Sequence, residues 1–248
     1  MKFENTEVFN FEGAFRGMRN PMESWDKSDS GYGCYDGAIK GLCRDCDGNP
    51  KAYCALREYV VGQNDLALAQ TLIKAGSEHR KFMRQIFVSV DITAPLYWWK
   101  EFDTYKVGTV ANSTSTMHKL ASTPITMDCF EMDDFSELSF ESNLNHFVLN
   151  SKKAFDDIID ILEDLRLRYI QTKDIRYWKE LIRLLPESWL QKRTVTMDYE
   201  NLLAICSRGQ RRFHKLTEWS NAFIAWARTL PYAQELIFLD ELEDKKNG

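Results

Sequence analysis

Cys34, Cys43, Cys46 and Cys54 stand as C-x8-C-x2-C-x7-C in a stretch broken by Gly31, Gly33 and the turn-forming "DGNP". Four thiolates on a short loop can gather a tetrahedral zinc, and a close pair such as Cys43 and Cys46 is the usual half-site. The outer spacings are unusual, and unligated thiols in a reducing compartment account for the same residues. A second concentration of chemistry is "YKVGTVANSTSTMH" at 105–118. Its run of Thr109, Asn112, Ser113, Thr114, Ser115 and Thr116 can reach phosphate or carbonyl oxygens while leaving room for a ligand. A solvated loop has the same composition, because short hydroxyls and amides bond to nearby backbone. His79, Arg80, Lys81 and Arg84 gather positive charge in "HRKFMR", as a solvated basic face or as partners for a phosphate. "GQRRF" at 209–213 is open to the same two readings.

The elements that must position these residues follow from periodicity. Asn64 is placed to cap a helix over "DLALAQTLIKA" that stops at Gly76, and a second short helix is expected from Ser77 through "EHRKFMRQ". "IFVSVDI" alternates as a strand, and Pro95 suits the first turn of a helix "PLYWWKEFDTY" in which Tyr97, Trp98 and Trp99 read as core. From 142 to 184 the pattern is helical. Phe155, Ile158, Ile159, Ile161 and Leu162 form one apolar face there, with Asp156, Asp157, Asp160 and Asp164 opposite. A further helix ends at Pro186, "TVTMDY" is a short strand, helices follow near 199–208 and 216–229, and the tail 241–248 is frayed. Helix exceeds strand without regular interleaving, which gives an α+β class. One domain over 1–240 is expected, carrying the Cys-rich insertion at about 31–62.

The 248 residues hold 32 Lys and Arg against 37 Asp and Glu, a net charge of −5, which argues against nonspecific binding to nucleic acid or anionic membranes. No apolar run is long enough for a membrane helix and the first residues lack the apolar core of a signal peptide, so a cytoplasmic location is expected. Walker and dinucleotide-fold glycine loops, nucleophile elbows and paired His metal motifs are absent.

Residues 79–118 resemble the core of the flavin-dependent thymidylate synthases, the ThyX class. The family motif R-H-R-x-x-S-x-N-E-x-S-x-R-Y falls without gaps on Tyr105 to His118, with Asn112 and Ser115 matching and Lys106 keeping a positive charge. A second block has Arg183, "LLP" ending at Pro186, Asp198, "ENLLAI" and Arg208 in the family's order. Asp198 replaces a family Asn, and Glu200 and Met117 each replace a family Arg. The resemblance implies a helix-rich fold with a small, mostly antiparallel sheet. It also implies a homotetramer with flavin sites built between subunits, and FAD-dependent reductive methylation of dUMP with NADPH and methylene-tetrahydrofolate. It assigns His79, Lys106, Asn112 and Asp198 to the flavin, and Ser113, Ser115, Arg183 and Arg208 to the nucleotide. It also favours the ligand wall over the loop for residues 109–116. Losing a forked guanidinium at Met117 weakens that assignment, and the alternative is a catalytically silent homologue that keeps the fold.

Overall fold

The computed structural model describes residues 1–34, 57–105, 107–132, 139–141, 148–211, 216 and 218–242. Cys43, Cys46, Cys54 and Lys106 lie outside the described residues. Strand β1 (Lys2–Phe9) leads into α1 (Phe11–Met18), and a hairpin follows from β2 (Gly31–Cys34) and β3 (Arg57–Val60). Next come α2 (Gln63–Lys74), β4 (Phe87–Pro95), α3 (Leu96–Phe102), β5 (Val110–Ser113) and α4 (Thr116–Lys119). The short strands β6 (Ser139–Glu141) and β7 (Val148–Asn150) precede α5 (Ser151–Thr172) and α6 (Ile175–Leu184). The chain continues through β8 (Leu190–Asp198), α7 (Tyr199–Cys206), α8 (Arg208–Arg211), α9 (Ile224–Ala227) and α10 (Ala233–Leu236). The principal sheet has the order β1-β4-β8-β5; β2 pairs antiparallel with β3, and β6 with β7. The α+β expectation holds: the protein is rich in helix with a small antiparallel sheet.

The residues group into two compact units. One comprises Met1–Glu4, Asp91–Thr104 and Ala111–Thr194; the other comprises Asn5–Val90, Tyr105–Val110 and Val195–Gly248. In the first, Phe155, Ile159, Leu162 and Leu165 of α5 pack with Leu181 of α6 and with Leu120, Ile125 and Phe130. The apolar face expected on α5 is narrower than its sequence suggests, because Ile158 and Ile161 remain 37% and 51% exposed. The helix also begins at Ser151 rather than near 142. Residues 148–150 pair as a strand, and Asn150 then caps the helix by accepting the Lys153 N–H at 2.9 Å. Trp98 and Trp99 are core as expected; Trp98 stacks on Phe102 at 5.1 Å, and Trp99 donates Nε1–H to the Gln191 carbonyl at 3.0 Å.

In the second unit, β4 contributes Val88 and Val90 from the buried side of a strand that alternates from Phe87 to Ala94. The start of α2 departs from the expected Asn64 cap. Gly62 stands at the N-cap, and the carboxylate of Asp29 accepts the N–H groups of Asn64 (2.9 Å) and Asp65 (3.1 Å). A carboxylate brought by another segment satisfies the same orphan donors, so no local side chain is required. Gly62 is needed there, since an added Cβ would lie 2.5 Å from the Asp29 carbonyl oxygen. The helix expected from Ser77 is instead a turn followed by a 3-10 turn over Lys81–Gln85. "TVTMDY" belongs to the nine-residue β8, and the helix expected over 216–229 contains a π-helical segment, Glu218–Phe223, before α9.

Candidate functional site

Where β8 becomes α7, the sequence D-Y-E-N folds into a capping box. The Asp198 carboxylate accepts the Asn201 N–H at 2.8 Å, and the Asn201 side-chain oxygen accepts the Asp198 N–H at 3.1 Å. The Asn201 amide donates onward to the Val107 carbonyl at 2.6 Å. This bond ties the opening of the first family-like block to the "ENLLAI" part of the second. Gly108 sits over the box with φ +82°, and a Cβ there would come 3.2 Å from Asp198 Oδ2. Only glycine takes that backbone without strain while leaving the carboxylate its place. Between Asp198 and Asn201, Tyr199 is anchored by its N–H to the Ile86 carbonyl (3.0 Å) and by its hydroxyl to the Pro231 carbonyl (2.7 Å); burial raises its pKa.

The anchored Tyr199 fixes the next residue, Glu200. Its Oε1 accepts Arg80 Nε at 2.8 Å, and its Oε2 accepts Arg84 Nε. Burial alone would raise the Glu200 pKa, but the hydrogen bonds from Arg84 and Arg80 outweigh it and hold the carboxyl below its ordinary value. Asp198 shifts the other way: burial raises it, partly offset by the backbone N–H groups of Asn201 and Glu200. A raised carboxyl costs the native state when ionised, and the cost develops as pH climbs above its ordinary 3.8. Asn caps a helix as well as Asp. Asp198→Asn is therefore expected to leave stability at pH 7 within about 0.5 kcal/mol of wild type or to raise it, with any gain shrinking as the pH falls. Urea denaturation at pH 7 and pH 4 checks this, and a loss above about 1 kcal/mol at pH 7 would show that the charge itself is needed.

His79, assigned to the flavin, is exposed in the turn before this cluster, with its N–H on the Gly76 carbonyl at 3.0 Å. Arg208, on α8, pairs with Asp240 at 3.2 Å. These residues belong to the second unit. Asn112, Ser113, Ser115 and Arg183 belong to the first. There β5 is an exposed edge strand carrying Asn112 and Ser113, and Thr114 bonds to the Lys192 carbonyl at 2.9 Å while its own carbonyl accepts Gln191 Nε2 at 2.9 Å. Ser115 caps α4 by accepting the His118 N–H at 3.1 Å, and Arg183 is exposed in the last turn of α6. The hydroxyl-rich run thus has a local structural use as edge strand and cap. Sequence reasoning missed the part played by Asn201 and Gly108; the D-x-x-N spacing before an apolar helix was the available signal. Among the described residues no group of three or more His, Cys, Asp or Glu could hold a metal ion.

No protein-family model matches the sequence, and no curated protein matches it. Solved structures do. The flavin-dependent thymidylate synthase ThyX from Helicobacter pylori, complexed with FAD and dUMP, is 15% identical with a TM-score of 0.59, covering 97% of this chain and 99% of that one. A second structure of Helicobacter pylori ThyX with FAD and dUMP is 14% identical with a TM-score of 0.58, covering 97% and 98%. The chain has the fold of the flavin-dependent thymidylate synthases over nearly its whole length.

Proposed function

We propose that the protein is a flavin-binding enzyme of the ThyX fold that acts on a pyrimidine deoxynucleotide. The carrying observation is the match over 97% of this chain to a protein whose crystals hold both FAD and dUMP. FAD is a dianionic pyrophosphate, and the described residues fit such a group in charge through Arg80 and Arg84. Their Nε atoms meet Glu200, while their Nη atoms have no protein partner among the described residues. His79, Lys106, Asn112 and Asp198 are assigned to the flavin, and Ser113, Ser115, Arg183 and Arg208 to the nucleotide. A bound flavin would supply hydride transfer; the chain's own residues bind and orient. Reductive methylation of dUMP with methylene-tetrahydrofolate and NADPH is the family reaction, and the departures at Met117, Asp198 and Glu200 point to an altered substrate or one-carbon step. The flavin absorbance band of the purified protein is the test. Colourless protein that takes up no FAD on reconstitution overturns the reading.

A specific observation favours a second reading, a silent homologue that binds nucleotide or serves in assembly. Asp198 is committed to a helix cap, and Glu200 puts a negative charge where the family has an arginine. Bound dUMP without flavin would select it.

A homo-oligomer, in the family case a tetramer, is proposed on the same resemblance. Exposed Ile158 and Ile161 beside buried Leu165 leave α5 an apolar strip that a second subunit would cover. Light scattering at micromolar concentration should give the mass of four chains, and a monomer would remove the basis for a shared flavin site. Zinc held by Cys34, Cys43, Cys46 and Cys54 is likewise proposed. Elemental analysis of protein purified without chelator should find about one zinc per chain, and a metal-free result rejects it.

A further inference from the structure

We propose that the groove between the end of β1, the start of α1, the β2–β3 hairpin and the 228–232 segment binds an organic cation carried on an apolar body, such as an alkylated ammonium. Its walls all belong to the second unit, and none of the residues assigned to flavin or nucleotide is among them. The groove has a volume of about 1150 Å³, enough for a small molecule with room to spare. Phe9, Phe11, Tyr32, Tyr59 and Tyr232 line it. Four of these rings form two crossed pairs: Tyr32 with Tyr59 (centroids 5.6 Å apart, 79° between planes) and Phe11 with Tyr232 (5.5 Å, 70°). Tyr32 and Phe9 remain 43% and 47% exposed. An aromatic face carries the negative part of the ring quadrupole, so crossed rings around one space attract a cation.

The walls are fixed by bonds of their own. The Tyr32 hydroxyl donates to Glu12 Oε2 at 2.9 Å, and the Tyr232 hydroxyl accepts the Val61 N–H at 2.9 Å. At the turn from β1 to α1, Asn10 has φ +73° and gives Nδ2–H to the Gln85 carbonyl at 2.8 Å. A ligand therefore has little ordering of the site to bring about. The charged side chains lining the groove are Glu12, Arg16, Glu58 and Arg228. Arg228 is matched by Glu241 at 2.8 Å and lies over the Phe238 ring, and Arg16 stands 3.8 Å from Glu12. Glu58 has no ion-pair or hydrogen-bond partner among the described residues, so the uncompensated charge of the groove is negative. Negative charge beside crossed ring faces selects a cation, whereas Arg16 is the group that would favour an anion.

The test is titration of the full-length protein, at low ionic strength, with three probes that share one ring: benzyltrimethylammonium, neutral benzyl alcohol and anionic benzenesulfonate. The ammonium should bind at millimolar concentration or below, and the other two about tenfold more weakly or not at all. Tyr32→Leu keeps apolar bulk but loses the ring face, and it should weaken the ammonium by about threefold to tenfold. Glu58→Gln removes the uncompensated charge and should weaken the ammonium while leaving benzyl alcohol unchanged. Thermal melting confirms that the variants fold; should Tyr32→Leu fail to fold, the exposed Glu58→Gln carries the test. Benzenesulfonate or benzyl alcohol binding as tightly as the ammonium overturns the proposal, as does an absence of ammonium binding or undiminished binding in Glu58→Gln. The site is independent of the flavin reading. Colourless protein that takes up no FAD yet binds the ammonium removes the proposed function and leaves this site standing, and yellow protein that binds no ammonium does the reverse.

Discussion

Arg19→Met is expected to destabilise the protein by about 3–5 kcal/mol, the range for breaking a buried ion pair from one side. Arg19 Nε lies 2.5 Å from Asp65 Oδ1, with the side chains 4% and 0% exposed. The same carboxylate accepts the hydroxyls of Ser28 (2.6 Å) and Ser30, and Arg19 Nη1 donates to the Ser24 carbonyl at 3.1 Å. Removing the guanidinium leaves a fully buried carboxylate with two hydroxyl partners, which offset little of its desolvation. The double variant Arg19→Met with Asp65→Leu removes both charges and should recover most of the loss, because an apolar pair of similar volume does not carry that cost. Urea denaturation of the three proteins measures it. A single-variant loss under about 1 kcal/mol, or a double variant as unstable as the sum, would show that the pair is not what holds α1 and the Ser28–Ser30 segment to α2.

The second large effect concerns the nucleotide. Arg183→Ala and Arg208→Ala should each weaken dUMP binding by roughly tenfold to a hundredfold, the value of a charge-assisted hydrogen bond to a phosphate. Arg208 must first leave Asp240, to which it is held at 3.2 Å, so its effect should fall toward the lower end. Met117→Arg should act in the opposite direction, since it restores the forked donor that the family places there. Calorimetry on wild type and the three variants decides. If wild type binds no pyrimidine nucleotide at millimolar concentration and Met117→Arg gains none, the silent-homologue reading replaces the enzyme reading.

Several elements were legible without coordinates. Alternation in "IFVSVDI" gave β4, Pro95 at the head of "PLYWWKEFDTY" gave the helix that carries Trp98 and Trp99 into the core, and Pro186 marked the end of α6. Two short blocks in family order sufficed for the fold, because spacing between elements survives when individual side chains do not. Where the reading failed, the failure had a physical cause. Asn64 looked like a cap because it precedes an apolar period, but Asp29 supplies that oxygen from 35 residues away. A short helix was expected from Ser77 through "EHRKFMRQ"; the chain turns there instead, with Gly76 at φ +106°.

The sequence by itself determined the α+β class, the strand β4, and the burial of Trp98 and Trp99 in α3. Local propensity and hydrophobic period act over a few residues, and those signals are written along the chain. Only the tertiary structure decided how the charges are used. It bound Arg80 and Arg84 to Glu200, 120 and 116 residues away, and Asn201 to the Val107 carbonyl across 94. It also set Asp198 as the cap of α7. A charge has no preferred partner in a sequence, because Coulomb attraction depends on distance and burial, and both are set when the chain folds.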